Sequence, residues 1–178
     1  MHNNIPTIFT FISQFKKEKI LNLNKNVAII FRNYEQSISK QKILELRHFC
    51  KLHRRKLFLA NNFKMAVNLK LDGVYLPSFN KDLGLRKFNY PKKFLILGSA
   101  HNLQEINIKK KQGAELIFLS PLFKTKNYKK FLNITRFNYL SLLSNKKIIA
   151  LGGINNSNIK KLKITNAYGF SGISYFNQ

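Results

Sequence analysis

Apolar and polar positions alternate in blocks along this chain. Wholly apolar runs of a few residues are separated by longer stretches in which apolar residues recur among Lys, Asn and Gln. Such short runs suit strands buried on both faces, as in a parallel sheet, and the stretches between them suit covering helices. Thr7–Ile12 reads as the first strand and is followed by a Lys-rich segment to about Leu21; Val27–Phe31 (VAIIF) is the second. Ser37–His53 carries Ile38, Leu44, Phe49 and Leu52 at spacings compatible with an amphipathic helix. Leu57–Ala60 is the third strand, Phe63–Leu69 its helix, and Gly73–Leu76 the fourth strand, stopped by Pro77. Lys81–Phe88 is a short helix or turn, Phe94–Leu97 the fifth strand, Asn102–Lys111 its helix and Leu116–Leu119 the sixth strand. A long loop from Ser120 to about Thr135 precedes a helix. The seventh strand then runs into Gly152 and Gly153, and a seventh helix leads to the eighth strand, Gly169–Ile173.

Eight strands in regular alternation predict an α/β fold, the (β/α)8 or TIM barrel, in one domain spanning residues 1–178. The chain is short for that fold, so its outer helices must be short, with the last helix missing or vestigial. Apolar surface near Tyr175 and Phe176 then needs cover, which a homodimer contact would supply. No apolar run approaches the roughly 20 residues that span a bilayer. The Ile8–Ile12 run, brief and without preceding basic residues, does not read as a signal peptide. A cytoplasmic location without membrane partners is the expectation. Cys50, the single cysteine, excludes an intrachain disulfide and suits an inert core thiol.

The balance of 32 Lys and Arg against 7 Asp and Glu gives a formal charge of +25. Nucleic acid is one reading of such a charge. The lysines are, however, scattered through nearly every element instead of forming one stripe. Asn, Ile and Phe are abundant beside them, a mixture that AT-rich codons produce without any function. Nucleic-acid binding is therefore the weaker reading, whereas small anionic substrates should find this surface attractive.

Barrel chemistry sits where the strands end. Ile148–Asn158 (IIALGGINNSN) is an apolar run, a Gly-Gly pair, and then Asn and Ser opening a lysine-bearing segment. A strand that ends in glycines before a helix leaves backbone N–H groups free to hold an oxyanion. Ser174 ends the neighbouring eighth strand. Strand two brings Arg32, strand three Asn61 and Asn62, strand five Ser99 and His101, and strand six Ser120 followed by Thr125. Structural roles compete for some of these: Arg32 with Glu35 as an ion pair, and Asn61 or Asn62 as a helix cap. Cation, hydroxyls and main-chain amides together suit a phosphorylated small molecule.

The segments GSAHNLQE, GAELIFLSPLFKT, IIALGGINNSNI and GFSGIS, in that order, resemble the thiamine phosphate synthase and TenI family from about Val27 onward. The resemblance implies a (β/α)8 barrel in thiamine biosynthesis. In the synthase branch a pyrimidine diphosphate ionises with Mg²⁺ and is captured by thiazole phosphate; in the TenI branch a thiazole phosphate carboxylate is tautomerised. It further implies that Gly152, Gly153 and Ser174 form the phosphate cup, that Arg32, Asn61 and Thr125 bind substrate, and that Ser99 and His101 carry the proton-transfer chemistry.

The departures fall on the metal and diphosphate side. Ile30 and Tyr34 replace the outer residues of the family's Gln-x-Arg-x-Lys, and Asn62 stands where the family has a metal-binding Asp. Asp82 is the candidate for the second carboxylate, at the cost of a short insertion in LPSFNKDL. Asn127 and Tyr128 replace the last two residues of the family's Thr-x-Thr-Lys, with Lys126 or Lys129 as substitutes. A TenI-like protein is therefore favoured. The alternatives are a divergent synthase, with Mg²⁺ as its cofactor, and a non-catalytic phosphate-ligand or nucleic-acid binder.

Overall fold

The computed structural model describes residues 5–35, 39–125, 130–172 and 175–176. Eight parallel strands, β1 (Ile8–Ile12), β2 (Val27–Phe31), β3 (Leu57–Ala60), β4 (Gly73–Leu76), β5 (Leu95–Ala100), β6 (Leu116–Leu119), β7 (Lys147–Leu151) and β8 (Gly169–Ser171), close into a barrel in sequence order. Closure is made by β8 against β1, with Ile8 opposite Phe170 and Phe9 opposite Ser171.

Alternation along each strand divides two cores. Phe9 and Phe11, Ala28 and Ile30, Leu95 and Leu97, and Leu116 and Phe118 fill the interior, while Ile29, Val74, Ile96 and Ile117 face the helices. The interior is aromatic: Phe118 meets Phe9 at 5.0 Å and Tyr75 at 5.4 Å between ring centroids, both edge-to-face. Such pairs contribute about 0.5–1.5 kcal/mol each beyond area burial. Carrying the same alternation one step past β2 and β6 aims Arg32 and Ser120 at the mouth.

The crossovers are short, as a barrel of this length requires: α1 (Lys17–Leu21), α2 (Lys40–Leu52), α3 (Phe63–Asn68), α4 (Leu103–Lys111) and α5 (Asn133–Ser144), with 3₁₀ turns at Gly84–Lys87 and Ile159–Ile164. Ser39 caps α2 by accepting from the Lys42 N–H at 3.2 Å. The buried face of α2 is Ile43, Leu46 and Cys50, with Phe49 half-buried, whereas Leu44 and Leu52 lie exposed; Ile38 falls outside the described residues. The stripe expected from Leu44 and Leu52 is therefore one position out of phase.

The seventh crossover is also corrected, being a six-residue 3₁₀ segment and not an α-helix. Its approach is spent on side-chain turns that compete with helix: the Asn155 N–H donates to Asn158 Oδ1 at 3.0 Å, and Ser157 Oγ donates to Asn155 Oδ1 at 2.6 Å. After β8, Tyr175 and Phe176 are half-buried and close on Phe170, with which Phe176 is stacked at 6.3 Å. No helix among the described residues is long and apolar enough to cross a membrane.

Candidate active site

The β7 end is built around two left-handed residues, Gly152 (φ 92°) and Gly153 (φ 70°). A Cβ on Gly152 would lie 2.7 Å from Pro121 Cβ, and one on Gly153 would lie 2.5 Å from the Lys124 carbonyl oxygen. Only glycine meets both demands. The loop after β6 locks onto this turn, its Leu122 and Phe123 N–H groups donating to the Leu151 and Gly152 carbonyls at 2.9 and 3.1 Å. Asn158 Nδ2 donates to the Gly153 carbonyl at 2.7 Å. These bonds consume carbonyls and leave the Gly152 and Gly153 N–H groups without an acceptor among the described residues. Because the 3₁₀ turn starts only at Ile159, the free donors belong to the loop itself and not to a helix N-terminus.

Around the same rim, Arg32 follows β2 and lies over the Phe11 ring, its guanidinium carbon 4.6 Å from the centroid. The expected alternative of an ion pair with Glu35 is not what forms: among the described residues the one ion pair is Lys56–Asp72. β5 runs three residues beyond the expected Leu97, so Ser99 sits in the strand, buried and turned inward. Ser99 acts on Tyr75, whose pKa is pushed up by burial, against the pull of Ser99 and Arg32. Tyr75 is thus a floor residue that the sequence reading missed; its inward parity in GVYL was the available signal.

His101 follows β5, exposed at the rim. Its Nδ1 lies 2.8 Å from the Ser120 carbonyl, and its backbone N–H donates to Glu105 Oε2 at 2.8 Å. Since a carbonyl can only accept, the contact calls for a proton on Nδ1, and the Ser120 hydroxyl lies 3.2 Å from the same nitrogen. Asn102 caps α4, accepting from the Glu105 N–H at 2.9 Å. Thr125 is half-buried at the end of the described part of the β6 loop. Ser174 and the positions 126–129 lie outside the described residues.

The residues expected at a metal are engaged otherwise. Asn62 accepts from the Met65 N–H at 3.0 Å and caps α3, and one Asp82 oxygen accepts from the Gly84 N–H at 2.8 Å. No cluster of three metal-ligating side chains occurs among the described residues. A neutral amide and one half-used carboxylate do not fit a hard divalent cation.

A buried network lies beneath this side of the rim. Lys109 of α4 is fully buried and donates to the Pro77 and Asn80 carbonyls at 2.7 and 2.6 Å and to Gln112 Oε1 at 2.9 Å. Gln112 Nε2 donates to Asn80 Oδ1 at 2.9 Å, and Asn80 Nδ2 donates to Asn61 Oδ1 at 2.7 Å. Asn61, itself left-handed with φ 57°, is thus held through the β4 loop by α4. Room for the lysine comes from Gly98, where a Cβ would lie 2.8 Å from Lys109 Cδ.

Burial pulls the Lys109 ammonium down to about 8, against the milder opposite effect of Glu105. The unfolded chain keeps this proton to about 10.5. Between those values the unfolded state binds more protons, so stability rises with pH. Denaturation midpoints from pH 8 to 10 should therefore rise for the natural protein relative to Lys109→Met, by about 1–3 kcal/mol. Cys50, whose thiol burial pushes up to about 12, opposes the trend equally in both proteins.

A closed parallel barrel with its polar groups gathered where the strands end defines the class: a (β/α)8 protein of the kind that works at that face. The family model described as thiamine monophosphate synthase matches residues 17–176. The chain belongs to that family. It is 33% identical over 134 residues to a "Putative thiamine-phosphate synthase 2" of Aquifex aeolicus, covering 74% of this chain and 72% of that protein. It is 32% identical over 155 residues to a "Thiamine-phosphate synthase" of Prochlorococcus marinus, covering 83% of this chain but 44% of that protein. The structure of a thiamine phosphate pyrophosphorylase from Pyrococcus furiosus superposes with a TM-score of 0.76 at 17% identity, over 97% of this chain and 87% of that one, and shows the shared fold.

Proposed function

We propose that this barrel binds a thiazole phosphate at its strand C-terminal rim and moves a proton on it, the TenI-like activity of its family. The observation that carries this reading is that one rim bears two free glycine amides at the β7 end and, at the β5 end, an imidazole held by its Nδ1 contact with the Ser120 carbonyl. In this reading the Gly152 and Gly153 N–H groups receive the phosphate oxygens, with the hydroxyls of Ser174 and Thr125 as further donors. Arg32, fixed over Phe11, and Asn61, fixed through Asn80, orient the substrate's other end. Ser99 shapes the floor with Tyr75. His101 Nε2 takes a proton from the heterocycle and returns it at another position, while Nδ1 stays bonded to the Ser120 carbonyl.

His101→Gln should lower thiazole tautomerisation by about 10²–10⁴-fold while leaving thiazole phosphate affinity within a factor of about two to three. The measurement is turnover followed by NMR beside calorimetric binding. Unchanged turnover removes the proton-transfer role.

A second reading, an active divergent synthase, is favoured by the similarity to proteins named thiamine-phosphate synthase. Incubation with hydroxymethylpyrimidine diphosphate and thiazole phosphate, read out as thiamine phosphate, separates the two. If the metal side is only weakened, Asn62→Asp with Mg²⁺ should raise that rate about tenfold or more, since it restores a charged oxygen ligand. No thiamine phosphate from either protein excludes the synthase reading.

A further inference from the structure

The opposite mouth of the barrel, where β3 and β4 begin, holds a cavity of about 320 Å³. Arg47, Lys51, Arg54, Arg55, Lys56 and Lys70 line it. Its carboxylate, Asp72, is already spent: one oxygen accepts from Lys56 Nζ at 2.7 Å and the other from the Leu57 N–H at 2.9 Å. Arg55 is 6% exposed and locked by Nη bonds to the Leu23 and Asn24 carbonyls at 2.6 and 2.7 Å. Among the described residues its Nε is buried without an acceptor, and no carboxylate pairs with the guanidinium. The carbonyls of Leu23, Asn24 and Val27 bond the guanidinium but bring no opposite charge.

One bland account is that the cations serve the C-terminus of α2. The geometry argues against it, because the Phe49, Cys50 and Lys51 carbonyls already accept from the backbone N–H groups of His53, Arg55 and Arg54. Arg47 donates through Nε to the Lys70 carbonyl at 3.3 Å, leaving its two Nη groups unbonded among the described residues. Arg47 and Lys51 are four apart and share one face of α2.

We propose that this cavity is a second anion site, remote from the rim, that takes a diphosphate group. Cations approach it from three elements, the α2 end, the start of β3 and the turn before β4, so they surround more than one phosphoryl group. Guanidinium forks suit bridging and terminal phosphate oxygens together. The diphosphate is either free or the tail of a nucleotide.

Calorimetric titration of the full chain at fixed ionic strength tests this, with inorganic diphosphate, ADP and sulfate as probes. Diphosphate should bind saturably and sulfate much more weakly; Arg47→Gln combined with Lys51→Gln should weaken diphosphate roughly tenfold or more. Gly153→Ala, which acts only at the rim, should leave this binding in place, so the result does not depend on the function proposed above. ADP binding as tightly as diphosphate identifies a nucleotide tail, and diphosphate alone identifies the free anion. Circular dichroism confirms that the variants are folded, and Arg54→Asn, whose new residue tolerates the left-handed φ of 53°, gives an independent charge removal. Affinity unchanged in these variants, lost in Gly153→Ala, or matched by sulfate overturns the proposal.

Discussion

Lys109→Ala is expected to destabilise the barrel by about 3–5 kcal/mol. The Pro77 carbonyl and Gln112 Oε1 lose a buried donor, and the half-buried Asn80 carbonyl keeps only its longer bond from Gln112 Nε2 at 3.2 Å. Each buried acceptor left unmade costs about 1–3 kcal/mol, and the vacated stem leaves a cavity against Gly98. Lys109→Met keeps the volume and should recover the cavity part but not the polar part. Urea unfolding of the two variants separates these contributions. The loss also reaches the rim: with the β4 loop released, Asn80 no longer fixes Asn61, so substrate affinity should fall in both variants even at temperatures where they remain folded. A loss of stability under 1 kcal/mol in Lys109→Ala would mean that the three bonds contribute nothing net.

Gly153→Ala is expected to cost about 2–4 kcal/mol and to abolish measurable binding of thiazole phosphate. Two effects combine. The left-handed backbone, at φ 70°, costs a residue with a Cβ about 1–2 kcal/mol. The methyl group would also lie 2.5 and 2.6 Å from the Lys124 and Phe123 carbonyl oxygens, so the loop after β6 must lift away. That loop carries Thr125 and is bonded to the glycine turn through the Leu151 and Gly152 carbonyls. Gly113→Ala is the control, because φ there is 85° yet the new Cβ meets only Ile96 Cδ1 at 3.7 Å. Gly113→Ala should show the backbone cost with ligand affinity intact; equal effects at both glycines would remove the steric argument for the turn.

The barrel was legible in the sequence because parallel strands are buried on both faces and so appear as uninterrupted apolar runs, VAIIF at 27–31 being the clearest. The rim positions of Arg32, Asn61 and Ser120 followed from those runs, since each is the first residue after a strand. What stayed hidden depends on distant partners. Nothing local distinguishes Lys109 from Lys110 and Lys111; it is the gap at Gly98 and the carbonyls of the β4 loop that select one of three consecutive lysines for burial. Asn62 allowed both a cap and a ligand role, and only the Met65 contact shows the cap. The α2 face was misread because apolar residues occupy more than one side of that helix, Leu44 and Leu52 being exposed while Ile43, Leu46 and Cys50 are buried. The seventh crossover looked helical by length, whereas Asn155, Ser157 and Asn158 spend their side chains on turn bonds.

The central claim is that main-chain donors at the β7 end receive a phosphate. Titrating ¹⁵N-labelled protein with the thiazole phosphate and following backbone amide resonances measures this at the atoms concerned. The account predicts that the Gly152 and Gly153 amide protons move downfield together and saturate with one binding constant, as hydrogen bonds to an anionic oxygen form. Saturable binding that leaves both resonances in place while amides elsewhere shift would contradict it.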